Sequence, residues 1–317
     1  MPLRVGFATS DHCHFAAYLA AFRSLPEVEV VGIWDRPGAP TEHGLPIFPS
    51  LDALLPRIDA LVILSRNREH AEHIEKAAAQ GLHILCEKPL VTTYEEAAVV
   101  EAAIRGKSQK FMVCFPCRYA PSFHRLRERV AAGDAGCIRA ICATNHGSWP
   151  EGLGAWFVDP IQSGGGALAD HIVHVADLLW LLLGEEPSVV QAQVSHNLKQ
   201  RAGCEDSALV TLSYPSGIFA TIDSSWSRPS EYRTWGDVTM NVVCEGGVME
   251  LDMFSQSIDR YRSGRVPVTA GYGSDTNDLL IRDFVRCIVE DLPSPVPFSD
   301  GLSASKVMIR AYESLSL

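Results

Sequence analysis

Three ionisable residues recur along one apolar stretch of the sequence at the spacing of a helix face. The stretch, 164–184, opens with three glycines, contains no proline and ends at a glycine, which predicts a single helix. Asp170, His174 and Asp177 stand at positions i, i+4 and i+7 and therefore share one side of it. Because burying ionisable groups is costly without partners or a function, this stripe predicts a site, with Asp177 in a structural role.

The opposite side of the same helix is apolar. His171 lies at the margin of the polar stripe, about 60° around the helix from His174, where it can still reach a ligand. The residues predicted to pack into the core are Leu168, Ile172, Val175, Leu179 and Leu182.

A lysine that could take part in acid–base chemistry follows an earlier apolar segment. Lys88 stands between Glu87 and Pro89, directly after the predicted strand 82–86. Two interpretations stay open: a solvated turn lysine, or a catalytic lysine that the strand positions in a crevice.

The first third of the chain alternates apolar strands with helices. This pattern predicts a parallel, doubly wound α/β sheet, which binds ligands at the carboxyl ends of its strands. Ser65 and Asn67 follow one such strand and are candidate ligand contacts. The predicted strands are 3–9, 28–34, 59–65, 82–86 and 110–115, and the predicted helices are 15–25, 51–55, 69–80 and 92–105.

An acidic residue, Asp35, ends the second strand. A dinucleotide-binding fold places an acid at this point to accept hydrogen bonds from the adenosine ribose hydroxyls. A carboxylate there favours NAD because it would repel a 2′-phosphate. The adjacent Arg36 keeps NADP open.

The loop after the first strand lacks the glycine fingerprint of a dinucleotide-binding fold. The segment 6–14 reads Gly-Phe-Ala-Thr-Ser-Asp-His-Cys-His, and its one glycine lies inside the strand. Thr9 and Ser10 can donate hydrogen bonds to a phosphate, and so can His12 or His14. Asp11 would repel a phosphate unless it points away.

Composition excludes several classes of partner. The chain has 317 residues, which indicates two domains, and a formal net charge of −11, which argues against nucleic acid and against an anionic membrane surface. We expect no signal peptide, and His174 and Asp177 make the longest apolar stretch too polar to span a membrane. Nine cysteines, an odd number scattered through apolar segments, indicate the cytoplasm.

The second half changes pattern. Alternating strands separated by turn residues predict the helix 164–184 lying on an antiparallel sheet. The predicted strands are 137–145, 189–194, 207–214, 217–224, 238–244 and 248–252, and further helices are predicted at 122–132, 279–290 and 302–315.

Taken together, these motifs resemble the glucose–fructose oxidoreductase, inositol dehydrogenase and rhizopine-catabolism (Gfo/Idh/MocA) family. The matching features are the strand that ends in Asp35, Glu87-Lys88-Pro89, Arg118-Tyr119, and the three glycines followed by Asp170 and His174. The resemblance implies an N-terminal Rossmann domain, 1–118, and a C-terminal α/β domain, 119–317, with a large, mostly antiparallel open sheet. It further implies hydride transfer between NAD or NADP and a carbinol carbon of a sugar, polyol or sugar derivative, in a homodimer or homotetramer.

The resemblance also assigns a catalytic trio. His174 would be the general base or acid, and Lys88 would hold the reacting oxygen, or be the base if burial lowers its pKa. Asp170 would bind a substrate hydroxyl or orient His174. The expected cofactor contacts are Thr9, Ser10, His12, His14, Asp35, Arg36, Ser65, Asn67 and Glu87. The expected substrate contacts are Arg118, Tyr119, His146, Trp149 and His171, with Trp226 and Arg228 as further lining residues, and no metal ligand is assigned.

Two other functions stay open. A metal-assisted enzyme could bring together His12, His14, Asp170, His171 and His174, because histidine and aspartate suit zinc or manganese. A non-catalytic dinucleotide- or sugar-sensing protein of the same fold is the second, and the loop without its glycines favours it. The pair Cys114 and Cys117 is interpreted as two buried thiols at a strand end.

Overall fold

The N-terminal third forms a six-stranded parallel sheet in the order β3-β2-β1-β4-β5-β6. The structure is a computed structural model and describes residues 1–39, 42–150, 153–198, 203–232, 234, 236–261, 263, 268–271 and 273–315. The strands are β1 (Leu3–Ala8), β2 (Val28–Trp34), β3 (Ile47–Phe48), β4 (Ala60–Ile63), β5 (His83–Cys86) and β6 (Phe111–Val113). The helices between them are α1 (Phe15–Arg23), α2 (Leu51–Leu54), α3 (His70–Ala79) and α4 (Tyr94–Ile104). The predicted doubly wound sheet is confirmed.

The strands of this sheet are apolar on both faces because helices cover both sides. Every residue of β4 is buried, as is expected of a central strand in a parallel sheet. Two of the helices are capped at their N-termini by side-chain oxygens: Ser50 accepts a hydrogen bond from the Ala53 amide, and Thr93 accepts one from the Glu96 amide. Because the strands are parallel, their carboxyl ends lie together at one edge of this sheet.

The second sheet also has six strands, in the order β12-β11-β7-β10-β9-β8. Its one parallel pair is β7 with β10, so the sheet is mixed and mostly antiparallel. The strands are β7 (Ile138–Ser148), β8 (Val189–Ser195), β9 (Ser207–Ser213), β10 (Phe219–Arg228), β11 (Gly236–Cys244) and β12 (Gly247–Asp252), and a separate hairpin, which the sequence pattern did not predict, pairs β13 (Ser257–Arg260) with β14 (Val268–Gly271).

The long helix α7 (Ala167–Leu183) packs on this second sheet, as the apolar periodicity predicts. It is preceded by α5 (Pro121–Ala131) and the short α6 (Pro160–Ser163). Gly184 ends it in a left-handed conformation with φ of 67°. The entry glycines are required sterically: Gly165 has φ of 149°, and a Cβ on it would lie 1.7 Å from the Tyr312 hydroxyl oxygen. The glycine run therefore lets the start of α7 approach its neighbours closely.

The last two helices, α8 (Thr276–Val289) and α9 (Phe298–Ser314), return to the first sheet. Phe284 of α8 packs edge-on against Phe22 of α1 with ring centroids 6.4 Å apart. The Val113 amide of β6 donates to the Val296 carbonyl at 3.0 Å. The C-terminal segment thus packs on both halves, and a boundary at residues 118 and 119 stays a prediction.

One helical stretch, Pro160–Leu183, is long and apolar enough to cross a membrane by length and composition. This stretch combines α6, the three glycines and α7, and it is therefore longer than the segment 164–184 that the sequence analysis expected not to span a membrane. In the fold, 78% of its apolar window is buried, which is the behaviour of a core helix.

Candidate active site

The centre of the site is an ion pair between Lys88, in the loop after β5, and Asp170 of α7. Lys88, two residues beyond the end of β5, donates from Nζ to Asp170 Oδ1 at 2.7 Å and to the Asp170 backbone carbonyl at 3.0 Å. Asp170 lies in the first turn of α7, and both side chains are buried. Two residues that are 82 positions apart in the chain, and that the sequence singled out separately, are therefore in direct contact.

A tryptophan completes the surroundings of Asp170. The indole Nε1 of Trp226 donates to Asp170 Oδ2 at 3.1 Å, and His171 Nε2 lies 3.5 Å from the same oxygen. Burial would raise the pKa of Asp170, but Lys88 and the neighbouring donors outweigh it and hold that pKa well below its ordinary value. Asp170 is therefore a carboxylate with both oxygens engaged.

Lys88 remains an ammonium in this arrangement. Burial alone would lower its pKa, but the carboxylates of Asp170 and Glu87 outweigh burial and raise the pKa above the ordinary lysine value. The hypothesis that burial makes Lys88 the base is therefore contradicted. Asp170 takes two of the three N–H donors of the ammonium, which leaves one for a further oxygen.

His174 lies one turn beyond Asp170 on α7, as the spacing predicts. Burial lowers its pKa well below the ordinary histidine value, and the positive charge of Lys88 lowers it further. Its ring packs edge-on near Phe115, with centroids 6.3 Å apart. Among the described residues its buried Nδ1 has no hydrogen-bond partner. His174 is thus a neutral imidazole whose single unprotonated ring nitrogen can accept a proton.

The candidate ribose-binding acid lies where the sequence places it. Asp35 follows β2, and its carboxylate accepts a hydrogen bond from Ser10 Oγ at 2.6 Å and one from the Arg36 amide at 2.8 Å. Thr9 turns the chain out of β1 with a positive φ of 62°, a conformation that glycine adopts most easily. The loop therefore keeps the tight turn of a dinucleotide-binding fold without the glycine.

The charge of Asp11, which was expected to repel a phosphate unless the side chain points away, is paired with arginine. Arg36 Nε donates to Asp11 Oδ2 at 2.7 Å, and Arg66 Nε lies 3.6 Å from the same oxygen. Arg36 also pairs with Glu69 through a second guanidinium nitrogen, Nη2. The guanidinium of Arg36 is therefore committed to two carboxylates.

Glu87 is fully buried between two histidines. His14 Nδ1 lies 2.8 Å and His12 Nδ1 lies 3.7 Å from Glu87 Oε1. Burial would raise the pKa of Glu87, but the two imidazoles and Lys88 outweigh it and hold the pKa below its ordinary value. Burial lowers the pKa of His12 to about 3, so this ring is neutral at physiological pH.

Of the remaining cofactor candidates, Asn67 contacts the segment before α7, and Ser65 contacts α3. Asn67 Nδ2 donates to the Ser163 carbonyl at 2.7 Å, and Ser65 Oγ lies 2.8 Å from His73 Nδ1. A narrow cleft with a free volume of only about 10 Å³ lies where the two halves meet. Its lining residues are His12, Asn67, Lys88, Phe157, Ser163, Gly165, Gly166, Ala169 and Asp170.

The predicted substrate contacts separate into two groups. Trp149 packs edge-on against Trp226, with centroids 5.2 Å apart, so it lies beside the Asp170 indole contact. His146 instead lies in β7, with its Nε2 3.2 Å from the half-exposed Asp223. Arg228, also proposed as lining, pairs with Asp237 of β11.

Arg118 and Tyr119 do not face the cleft. The Arg118 guanidinium is buried against Asp177, with Nε 2.7 Å from Oδ2, and also pairs with Asp300 at 2.8 Å. Tyr119 donates its hydroxyl to Asp283 of α8 at 3.2 Å. These contacts give Arg118 a structural role and agree with the structural role expected for Asp177, and substrate contact by Arg118 or Tyr119 stays a prediction.

One residue that positions the site was missed. Glu205, in the segment before β9, accepts hydrogen bonds at Oε1 from the Gly166 amide at 2.8 Å and the Leu168 amide at 3.1 Å, and from the Tyr312 hydroxyl at 2.7 Å. Its carboxylate thus caps the start of α7 and complements the positive end of the helix dipole. Because Glu205 lies 39 residues after Gly166 in sequence, no local pattern indicates this contact.

Comparison with known proteins supports the same fold. Residues 5–115 match the model of an oxidoreductase family with an NAD-binding Rossmann fold, and residues 123–250 match the model of the GFO/IDH/MocA C-terminal domain. The chain belongs to the Gfo/Idh/MocA family of oxidoreductases. The resemblance seen in the sequence is therefore confirmed, together with the NAD-binding Rossmann domain.

Among its Gfo/Idh/MocA relatives is a D-xylose 1-dehydrogenase (NADP(+)) of Haloferax volcanii, 30% identical over 93% of this chain and 89% of the relative. A levoglucosan dehydrogenase of Pseudarthrobacter phenanthrenivorans is 34% identical over 80% of this chain and 76% of the relative. A solved structure of a putative myo-inositol dehydrogenase from Sinorhizobium meliloti superposes with a TM-score of 0.82 at 26% identity, covering 99% of this chain and 97% of that one.

Proposed function

We propose that this chain is an NAD(P)-dependent dehydrogenase or reductase that acts on a carbinol carbon of a sugar, polyol or sugar derivative. The observation that carries the proposal is the buried Lys88–Asp170 pair at the cleft where the Rossmann sheet meets α7, with the buried His174 one turn further along that helix. Related dehydrogenases that act on D-xylose and levoglucosan support the substrate class.

The residues at the ends of β1 and β2 fit a dinucleotide. Asp35 and Ser10 offer oxygens for the adenosine ribose hydroxyls, and no side chain caps the N-terminus of α1, which leaves the positive end of the helix dipole open to a pyrophosphate. A bound nicotinamide would supply the hydride donor or acceptor. Because Arg36 already pairs with Asp11 and Glu69, it is not free for a 2′-phosphate, which favours NAD over NADP.

The three catalytic side chains then take separate roles. The third N–H donor of Lys88 holds the substrate oxygen and stabilises negative charge that develops on it. His174, neutral and one turn away, takes the hydroxyl proton during oxidation and returns it during reduction. Asp170, with both oxygens engaged, fixes the position of the ammonium.

A titration of the purified chain with NADH and NADPH, followed by nicotinamide fluorescence, tests the cofactor. We expect NADH to bind at micromolar concentration and more tightly than NADPH. Asp35→Ala should weaken NADH binding, whereas Asp52→Ala, an exposed acid of α2, should not. A screen of sugars and polyols for NADH formation follows. The absence of binding by either dinucleotide would overturn the proposal in favour of a metal-assisted enzyme or a regulatory protein of the same fold.

Localisation and assembly extend the proposal. All nine cysteines are free thiols, which supports a location in the reducing cytoplasm.

The second sheet exposes Leu209, Phe219 and Val248, each more than two fifths exposed, which supports packing of this sheet in a homodimer or homotetramer. Light scattering on the purified chain measures the mass, and a monomer would contradict the assembly.

A further inference from the structure

The loop that replaces the glycine fingerprint gathers metal-ligating side chains. His12, Cys13 and His14 each offer one ligand atom, and these atoms all lie within 4.8 Å of one another. Cys13 Sγ lies 3.8 Å from His12 Nδ1. Among the described residues this is the one such group of histidine, cysteine and acidic side chains, and it excludes Asp170, His171 and His174.

A buried carboxylate faces the same atoms. Glu87 Oε1 lies 2.8 Å from His14 Nδ1 and 3.7 Å from His12 Nδ1, and its side chain is wholly inaccessible to solvent. Around a tetrahedral zinc ion, with bonds of about 2.0 Å to nitrogen or oxygen and about 2.3 Å to sulfur, ligand atoms lie roughly 3.3–3.6 Å apart. The separations of Glu87 Oε1 from the two imidazole nitrogens, 2.8 and 3.7 Å, fall on either side of these values, and Cys13 Sγ lies 3.8 Å from His12 Nδ1, so the side chains must move to close the site around an ion.

We propose that His12, His14 and Glu87 bind one zinc-class divalent ion, with Cys13 as the fourth ligand. Two imidazoles, a carboxylate and a thiolate form a set that suits zinc, whereas magnesium and calcium prefer oxygen ligands throughout. The site goes beyond the proposed hydride transfer and does not depend on it.

The hydrogen bonds that now hold these nitrogens are ones an ion can replace. The His14 amide reaches His12 Nδ1 at 3.3 Å, and the Tyr18 hydroxyl lies 3.3 Å from His14 Nδ1, both beyond ordinary hydrogen-bond lengths. The other oxygen of Glu87 accepts the Lys88 amide at 3.0 Å, so the carboxylate stays oriented when Oε1 binds a cation. An ion here lies one residue from the catalytic lysine without using its side chain.

Calorimetric titration of the full chain with zinc chloride tests the site, after removal of any histidine tag and treatment with a chelator. We expect one ion per chain. His12→Asn and His14→Asn should each weaken binding by about 100-fold or more, since second-shell losses alone cost 10–100-fold. The matched control His124→Asn changes an exposed histidine of α5 and should leave binding unchanged.

Cobalt(II) gives a second measurement that separates loss of the site from loss of the fold. We expect the absorption of tetrahedral cobalt together with a thiolate charge-transfer band. Cys13→Ser should remove this charge-transfer band. The control Cys142→Ser, which changes an exposed cysteine of β7, should retain it. Absence of micromolar binding in the wild-type chain would overturn the proposal. So would binding that His12→Asn and His14→Asn leave unchanged while both variants keep the wild-type far-UV circular dichroism.

Discussion

Replacing Lys88 with methionine removes the ammonium but keeps most of the side-chain volume, so it isolates the charge. The variant leaves Asp170 buried, with its carboxylate facing only Trp226 and His171. Removal of one partner from a buried ion pair costs about 3–5 kcal/mol, because the remaining charge is uncompensated. We therefore expect a free energy of unfolding lower by about that amount, together with a turnover lower by roughly 10²–10⁴.

A double variant separates the two effects. Lys88→Met with Asp170→Asn removes both charges, so no uncompensated ion remains in the interior. Because neutral replacement of a whole buried pair is often tolerated, we expect stability to return to within about 1 kcal/mol of the wild-type chain. Turnover should stay as low as in the single variant, since the donor to the substrate oxygen is still missing.

The assay is urea unfolding followed by tryptophan fluorescence, paired with NADH formation on the best sugar or polyol substrate. Lys306→Met is the matched control, because Lys306 pairs with Glu186 at 2.9 Å on the surface. Exposed pairs contribute about 0–1 kcal/mol, so this variant should unfold like the wild-type chain. A Lys88→Met variant of wild-type stability would refute the buried ion pair, and one of wild-type turnover would refute the catalytic role.

Three further predictions concern other parts of the molecule. Burial lowers the pKa of His73 to about 4, so the stability that its neutral form provides above the unfolded-state pKa of about 6.5 is lost as pH falls toward 4. The wild-type chain should therefore lose more unfolding free energy between pH 7 and pH 5 than His73→Gln does, by about 2 kcal/mol. An unchanged dependence of the unfolding free energy on pH in the variant would contradict this. Gly165→Ala should lower the unfolding free energy in urea by about 3 kcal/mol or more, because the added Cβ would meet the Tyr312 hydroxyl. The control Gly217→Ala, at φ of 85° with open space around it, should lower it by about 1 kcal/mol. Equal losses of unfolding free energy would show that the close approach at Gly165 is unimportant. Trp226→Phe keeps the ring but removes the donor to Asp170, so kcat should fall about 10-fold while the affinity for NADH is retained, and an unchanged kcat would exclude the indole from positioning Asp170.

Local patterns predicted the elements well because the relevant forces are local. The helix expected at 164–184 is observed as Ala167–Leu183, since its apolar face and Gly184 lie within the stretch itself. Strand β10 extends to Arg228, beyond the predicted end at residue 224, because pairing with β7 continues there. A partner strand from elsewhere in the chain decided that boundary.

The side-chain contacts of the site depended on distant partners. Arg118 follows a strand and was expected in the pocket, yet Asp177 and Asp300, 59 and 182 residues later, bind its guanidinium. Asp11 was expected to repel a phosphate, and Arg36 neutralises it across 25 positions. The type and spacing of residues indicated which groups are ionisable, but only the fold determines which of them are paired.

The ion pair at the centre of the site also explains why two separate sheets form one binding cleft. Lys88 belongs to the loop after β5, and Asp170 belongs to α7 on the second sheet, so their contact crosses between the halves. Asn67 makes a second crossing contact to Ser163 at 2.7 Å. Because a buried charge needs its partner, any movement that separates the halves costs free energy at Lys88 and Asp170 first. A substrate oxygen that binds the third donor of Lys88 can therefore enter the cleft without separating the pair, and the site stays assembled through the reaction that we propose.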